Sequence, residues 1–374
     1  MKFTVSSKVF QDSLNKIAGL IGSNSIIAIL DNCLIDVKNG KLTAVSSDIE
    51  NSMKIEIEVD SSENGTLAIP AKKILETLKV VPEQPLLIEM DENRKVLEIK
   101  TSNGAYTYGC FEATEFPKIP ELKETSSVNI KAEALLKAIN ITSFALGTDE
   151  QRKAMTGLYC HFDEFGATFV STDAQKLVKY QRKDVTIGQT FHFILPKKVL
   201  SQLKSSLNGM GEESVEVQFN KTNCSFRFGN LNVICRLIDA VYPEYNNVIP
   251  VDNPNKMTIT REGILNTLRR LSPLSNQSTH QISLKIEGSS LLASALDLDF
   301  SNGGTEEQPI TFVGEDMTIG FSSKYLIEIL QVIDTEDVTF EMSTPNRAGL
   351  IFPVNEDEME STMMLLMPIL VNIE

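Results

Sequence analysis

The sequence predicts an α+β fold built from three repeated domains, each with two helices and several short antiparallel strands. Three observations carry this. A strand-then-helix segment recurs as FTVSSKVFQDSLNKI (3–17), VNIKAEALLKAINIT (128–142) and MTITREGILNTLRRL (257–271). A second helix recurs as IPAKKILETLKVV (69–81), ILPKKVLSQLKSS (194–206) and GFSSKYLIEILQV (320–332). Between them lies a strand ending in Asp: LTAVSSD (42–48), ATFVSTD (167–173) and LLASALD (291–297). The first two repeats keep one spacing of 125 residues at all three places, a regularity of domain length that points to internal triplication.

Each element has its own reason. In the first helix of each repeat the apolar residues fall at i, i+4 and i+7: Phe10, Leu14 and Ile17, then Leu135 and Ile139, then Ile264, Leu268 and Leu271. Thr142 alone breaks that stripe. SMKIEIEVD (52–60) alternates Met53, Ile55, Ile57 and Val59 with polar or charged residues, the period-two mark of a half-buried strand, and SVEVQF (214–219) and DVTFEM (337–342) do the same. Asn39-Gly40, Asn64-Gly65 and Asn103-Gly104 supply turn chemistry. Lys73, Lys198 and Lys324 align in the second helices, as do Leu75, Leu200 and Leu326. The expected domains are 1–124, 125–253 and 254–374, the second boundary beside Pro254 in VDNPNK.

Composition constrains function. The 374 residues carry 35 Lys+Arg against 50 Asp+Glu, a net charge of −15, which on average repels nucleic acid. The charges are not evenly spread. The segments 6–21, 70–80, 130–139, 196–205, 260–273 and 322–333 hold 14 basic and five acidic residues among 73, while the rest of the chain holds 21 and 45. On helix 196–205, Val199, Leu200 and Leu203 form a core stripe and Lys197, Lys198, Ser201 and Ser205 the opposite face, with Lys204 at its edge. The bland account is that helices tolerate Lys and that Lys is commonly solvated. The sharper one is that the six helices share a surface facing a polyanion. Lysine outnumbers arginine, and a hydrated point charge suits phosphate contact without base readout.

Other chemistry finds little support. His161, His192 and His280 are scattered without metal-ligand spacing, no phosphate-binding glycine motif occurs, and Ser171 and Asp173 lack a positioned histidine. NEDEME (355–360) is expected to be a solvated hairpin loop. No catalytic residue, metal or cofactor is expected. Cys33, Cys110, Cys160, Cys224 and Cys235 are odd in number and form no CxxC pair, as in a reduced, cytosolic chain with buried thiols. MKFTVSSKVF lacks the apolar region of a signal peptide, and MMLLMPIL is too short to span a bilayer.

The order and spacing of MKFTV, the threefold helix pattern, VSTDAQKL (170–177), EFPKIP (115–120), YPEYNNVIP (242–250) and LLMPIL (365–370) resemble the bacterial DNA polymerase III beta subunit, or sliding clamp, family over essentially the full length. The resemblance implies a ring-shaped head-to-tail homodimer of clamp-type domains, with helices lining the hole. Twelve helices about 10 Å wide make a circle of roughly 120 Å, leaving a hole on the order of 30 Å. It also implies partners: double-stranded DNA held without sequence preference, the DNA polymerase III alpha subunit, a clamp-loading ATPase, and other replication and repair proteins that insert a short peptide. No membrane partner is expected.

Site residues follow by matching. Lys8, Lys16, Lys72, Lys73, Lys79, Lys131, Lys137, Arg152, Lys197, Lys198, Lys204, Arg269 and Arg270 are the expected DNA-facing positions. Tyr106, Tyr108 and Leu274 match the dimer interface. Met155, Thr172, Ala174, Lys176, Leu177, Pro243, Asn247, Val248, Tyr325, Asn346, Leu365, Leu366, Met367, Pro368 and Ile369 match the peptide pocket. The chain departs from the family in places. Ala174-Gln175-Lys176 stands where Gly-His-Arg is common, Asn24 replaces a basic DNA contact, Thr148 and Asp149 replace others ahead of Arg152 and Lys153, and the tail VNIE runs past the usual end. The rival reading is a scaffold of repeated α+β domains that binds proteins and not DNA.

Overall fold

The structure, a computed structural model, describes residues 1–22, 26–123 and 125–371. Among the described residues the α-helices are α1 (Ser7–Ala18), α2 (Ala71–Leu78), α3 (Ala132–Thr142), α4 (Lys197–Leu207), α5 (Arg261–Leu271) and α6 (Ser323–Val332), two per repeat. None of the described helices is long and apolar enough to cross a membrane.

The chain forms two compact units, Met1–Leu136 with Lys198–Leu237, and Lys137–Lys197 with Ile238–Glu374. The first unit holds two antiparallel sheets. One has four strands, in the order Lys2–Ser6, Pro85–Asp91, Val96–Lys100, Ala105–Gly109. The other has eight: Gly65–Ile69, Cys33–Lys38, Lys41–Ser47, Asn51–Glu58, Leu231–Arg236, Asn223–Phe228, Ser214–Phe219, Ser126–Lys131. The second unit repeats the plan. Its nine-stranded sheet joins Lys176–Arg182 to Glu360–Leu366, and its four-stranded sheet runs Asn302–Pro309, Ser290–Asp297, Gln281–Glu287, Met317–Ser322.

The larger sheets are continuous across sequence repeats. In the first unit Ser52 faces Ile234 and Met53 faces Val233. In the second Leu177 faces Leu365 and Val178 faces Met364. In both, the strand that follows the Asp turn of one repeat pairs with the last strand of the next. These joining strands are largely buried, and backbone ladders there satisfy groups that would otherwise form an open edge.

The helices cover the sheets as their stripes predict. Phe10, Leu14 and Ile17 of α1, Val199, Leu200 and Leu203 of α4, and Ile264, Leu268 and Leu271 of α5 are all at most 3% exposed. The anomalous Thr142 is fully buried, and its hydroxyl donates to Ala138 O at 2.6 Å, which satisfies the polar group inside the core. Its own carbonyl accepts from the Ser171 hydroxyl at 2.7 Å, as the Ile17 carbonyl accepts from Ser46 at 2.7 Å in the first repeat. Ser171 is thereby a helix-to-sheet tie.

Two expectations need correction. Glu360, placed by sequence in a solvated loop, starts a strand and is 8% exposed, because Arg182 at 2.7 Å and Lys137 at 2.6 Å neutralise it. Cys110 is half-buried while the other four cysteines are buried, and all five are free thiols. Desolvation pushes Cys110 up to about 11 and Cys235 to about 12, so neither is a thiolate near neutrality.

Candidate DNA-facing helices, peptide pocket and sheet edges

In the first unit, the core face of α1 leaves Lys8, Asp12, Asn15 and Lys16 in water, and α2 likewise exposes Lys73, Glu76 and Lys79. Lys72 is half-buried and donates to Gly22 O at 3.1 Å. Lys131 is exposed and pairs with Glu212 at 2.9 Å. On α4, Lys198 and Lys204 are exposed, and Lys198 is ion-paired with Asp48. A cleft of about 720 Å³ with a mixed lining lies beside these helices, its walls including Lys16, Ser201, Gln202 and Ser205 as well as Met210, Glu213 and Phe228. Hydroxyls, an amide and an ammonium are donors suited to phosphate oxygen.

In the second unit, Lys197, Arg269 and Arg270 are exposed. Arg270 forms a two-pronged contact with Glu306, each nitrogen 2.6 Å from an oxygen, and that guanidinium holds the Glu306 carboxyl down at about 2. Arg152 sits 3.4 Å from Asp149, a carboxylate that also accepts from Gln151 N–H. Lys137, like Lys72, is only partly available. It is about two-thirds covered and bridges Glu360 and Asp334 at 2.6 and 3.1 Å. Its charge is largely spent within the fold, a pairing invisible to helical periodicity. Asn24 lies outside the described residues.

All the predicted pocket positions belong to the second unit. Leu177 and Leu365 sit in an apolar cluster with Val170, Ile194, Tyr242, Leu350 and Met363. The YPEYNNVIP stretch packs against this cluster: Tyr242 stacks on Tyr159 at 4.7 Å and its hydroxyl donates to Val170 O at 3.2 Å. Met363, Met364, Leu365 and Leu366 are all at most 9% exposed, so this strand is covered on both faces and does not alternate between core and solvent. Accessible apolar surface comes instead from Met367 (41%) and Val248 (59%), with half-buried Met155, Pro243, Tyr325, Pro368 and Ile369. Ala174, Asn247 and Asn346 are exposed, and Thr172 is buried with its hydroxyl donating to Lys176 O at 2.8 Å. Lys176, expected at the rim, is 5% exposed. Its ammonium is 2.8 Å from Asp173, 3.2 Å from Glu328 and 4.1 Å from the Tyr325 ring centroid. Those anions keep its pKa raised although burial opposes the charge.

The dimer positions sit where a partner could reach them. Ala105–Gly109 is the outer strand of its sheet, with Tyr106 39% exposed and the Tyr108 hydroxyl donating to Thr77 at 2.6 Å. Leu274 ends a 3₁₀ turn, Ser272–Leu274, after α5. Sequence reasoning missed two features. Glu328 gave no signal, since its partner Lys176 lies 152 positions earlier in the chain. The hairpin before strand Asn302–Pro309 exposes Leu296, Leu298 and Phe300 at 61, 79 and 66%. Their alternation with Asp297 and Asp299 is the only local signal of this patch.

These elements define a three-repeat chain whose sheets pass from one repeat to the next. The N-terminal, central and C-terminal domains of the DNA polymerase III beta subunit match residues 1–120, 129–244 and 246–367. The beta sliding clamp of Pseudomonas aeruginosa is 25% identical over 361 residues, spanning 96% of this chain and 97% of that one. That of Synechococcus elongatus is 23% identical over 360 residues, spanning 95 and 96%. Among solved structures, the DNA polymerase III subunit beta of P. aeruginosa superposes with a TM-score of 0.94 at 23% identity, covering 99% of this chain and all of that one. The clamp of Bacillus subtilis gives 0.93 at 22% identity, covering 99% of each chain. A further P. aeruginosa structure with a TM-score of 0.93 and 23% identity, covering 99 and 100%, has griselimycin bound to that protein. The chain belongs to the DNA polymerase III beta subunit family, the bacterial beta sliding clamps, and is a processivity clamp of three α+β clamp domains.

Proposed function

We propose that two copies of this chain close head to tail into a ring that encircles duplex DNA, slides along it without reading sequence, and tethers the replicative polymerase. One observation carries the reading. Each repeat has a strand after its Asp turn and a last strand, and two of the three possible unions between these types are made within the chain. The strands left over are Ala105–Gly109 and Asn302–Pro309, each the outer strand of a four-stranded sheet. None of their residues is buried, whereas most residues of Leu231–Arg236 and Glu360–Leu366 are. Pairing them between two copies turns both four-stranded sheets into eight-stranded ones and removes the open edges. Tyr106, Tyr108, Leu274 and the apolar hairpin Leu296–Phe300 would flank that union.

In this reading the exposed bases of α1, α2, α4 and α5 supply phosphate contacts, while the acidic strands and loops keep the outside from binding DNA. Repeats 1–124, 125–253 and 254–374 each contribute one domain. The Tyr242–Pro250 stretch and the Met367–Ile369 segment take a short apolar peptide from the DNA polymerase III alpha subunit, the clamp-loading ATPase and other replication and repair proteins. The chain performs no catalysis, needs no cofactor, and works in the cytoplasm.

The test is topological. After loading by a clamp loader, the protein should stay on closed circular duplex through gel filtration and leave it when one cut linearises the circle. Light scattering should give twice the 41.5 kDa chain mass. Equal retention on linear and circular DNA would rule out encirclement.

A further inference from the structure

Position 176 of the candidate pocket carries a lysine, yet its ammonium is withdrawn from the solvent. The side chain is 6% exposed, whereas the two carboxylates that hold it, Asp173 and Glu328, are 20 and 30% exposed. The grip is complete. Nζ touches both carboxylates and the Tyr325 ring, the Lys176 N–H donates to Asp173 Oδ1 at 2.9 Å, and the Lys176 carbonyl accepts from Thr172 at 2.8 Å. Glu328 Oε2, though 3.2 Å from the ammonium, is shielded and receives no well-aligned hydrogen bond from the described residues. A latch of one cation and two anions therefore leaves its carboxylates more exposed than its ammonium, beside Tyr325 and the 172–177 loop of the candidate pocket.

We infer that this latch sets the charge preference of the pocket. The preferred ligand is a short extended peptide whose apolar side chains lie on Val248, Met367 and Tyr325, and whose flanking residue is basic or neutral. An acidic flank meets the Asp173–Glu328 edge, where the only nearby ammonium of the latch is already shared between two carboxylates. Glu328 is the specificity-determining residue, and Lys176 acts through it as a positioning residue that fixes loop 172–177 against α6. This inference rests on the pocket reading of the proposed function and deepens it.

The experiment uses one fluorescent peptide with Leu and Phe anchors, made with Lys, Gln or Asp as its flanking residue and titrated against the full chain by anisotropy. The Lys and Gln peptides should bind more tightly than the Asp peptide by about threefold to tenfold at low salt, a gap sized to exposed charge pairs. In Glu328→Gln the ratio of Gln-peptide to Asp-peptide affinity should fall toward one whatever happens to the affinity of all three together, an outcome that a uniform loss of packing would not produce. If that variant does not fold, the wild-type series decides, because raising salt from about 50 to about 500 mM must shrink the gap. Equal affinity for all three peptides, or a gap unchanged in folded Glu328→Gln, overturns the charge assignment and leaves the pocket standing. Absence of binding by all three overturns the pocket reading and the inference with it.

Discussion

Asp48, Asp173 and Asp297 end the same strand in each repeat, and their carboxylates explain why. Asp48 accepts from the N–H groups of Glu50 and Asn51 at 3.1 and 2.7 Å, Asp173 from Gln175 and Lys176 at 2.9 Å each, and Asp297 from Asp299 at 3.1 Å. Each satisfies backbone donors that a tight turn leaves open. The residue after the Asp in the first two repeats is left-handed, at φ 83° for Ile49 and 76° for Ala174. For a β-branched side chain that conformation is a true outlier. Left-handed backbone costs an L-residue roughly 1–2 kcal/mol, and glycine gives back part of the relief as unfolded-state entropy. Ile49→Gly should therefore stabilise the protein by about 0.5–1 kcal/mol in urea unfolding. Ile49 is 56% exposed, so little packing is lost.

The helices and edge strands make separable predictions. Reversing the charge of Lys198 confounds two effects, because glutamate there would face its present partner Asp48 and disturb the turn as well. Lys16→Glu combined with Lys204→Glu avoids that pairing. This double variant should keep its melting temperature and dimer mass but lose retention on circular DNA, with the salt slope of binding reduced by roughly one per lysine. An unchanged salt slope would detach these helices from the duplex. On the edge strand, Cys110 N–H donates inward to Lys95 O at 2.8 Å. By the alternation of an antiparallel ladder, the Thr107 N–H points outward. Thr107→Pro deletes that donor without touching the inner ladder, so it should yield folded monomer on light scattering. A dimer of normal affinity would show that this edge is not the joint.

The molecule divides its cores differently from its sequence. The repeats are three, but the compact units are two, because the larger sheets bind the last strand of one repeat to the middle of another. Stability is therefore shared across repeats. Hydrogen exchange should find the ladder between Asn51–Glu58 and Leu231–Arg236 as protected as the ladder between Lys41–Ser47 and Asn51–Glu58 inside the first repeat. Early exchange at the join would mean that the repeats open independently.

How much could be read in advance follows from range. The triplication, the two helices per repeat, the core stripes and the basic bias of the helices are local, set by residues three or four apart whose periodicity survives in one dimension. So was the apolar character of the C-terminal strand, though the covering of both its faces was not. Lys137 read as a DNA-facing base and Lys176 as a pocket residue. Although Asp173 lies three residues before Lys176, the second carboxylate that completes its burial, like the partner of Lys137, is remote in the chain. Glu360 and Glu328 reach them from 223 and 152 positions away. Ion pairing depends on distance in space, and burying a charge is tolerable only once the opposite charge is brought alongside. The amino acids thus specify which helices are cationic, and folding selects which of those cations stay in water.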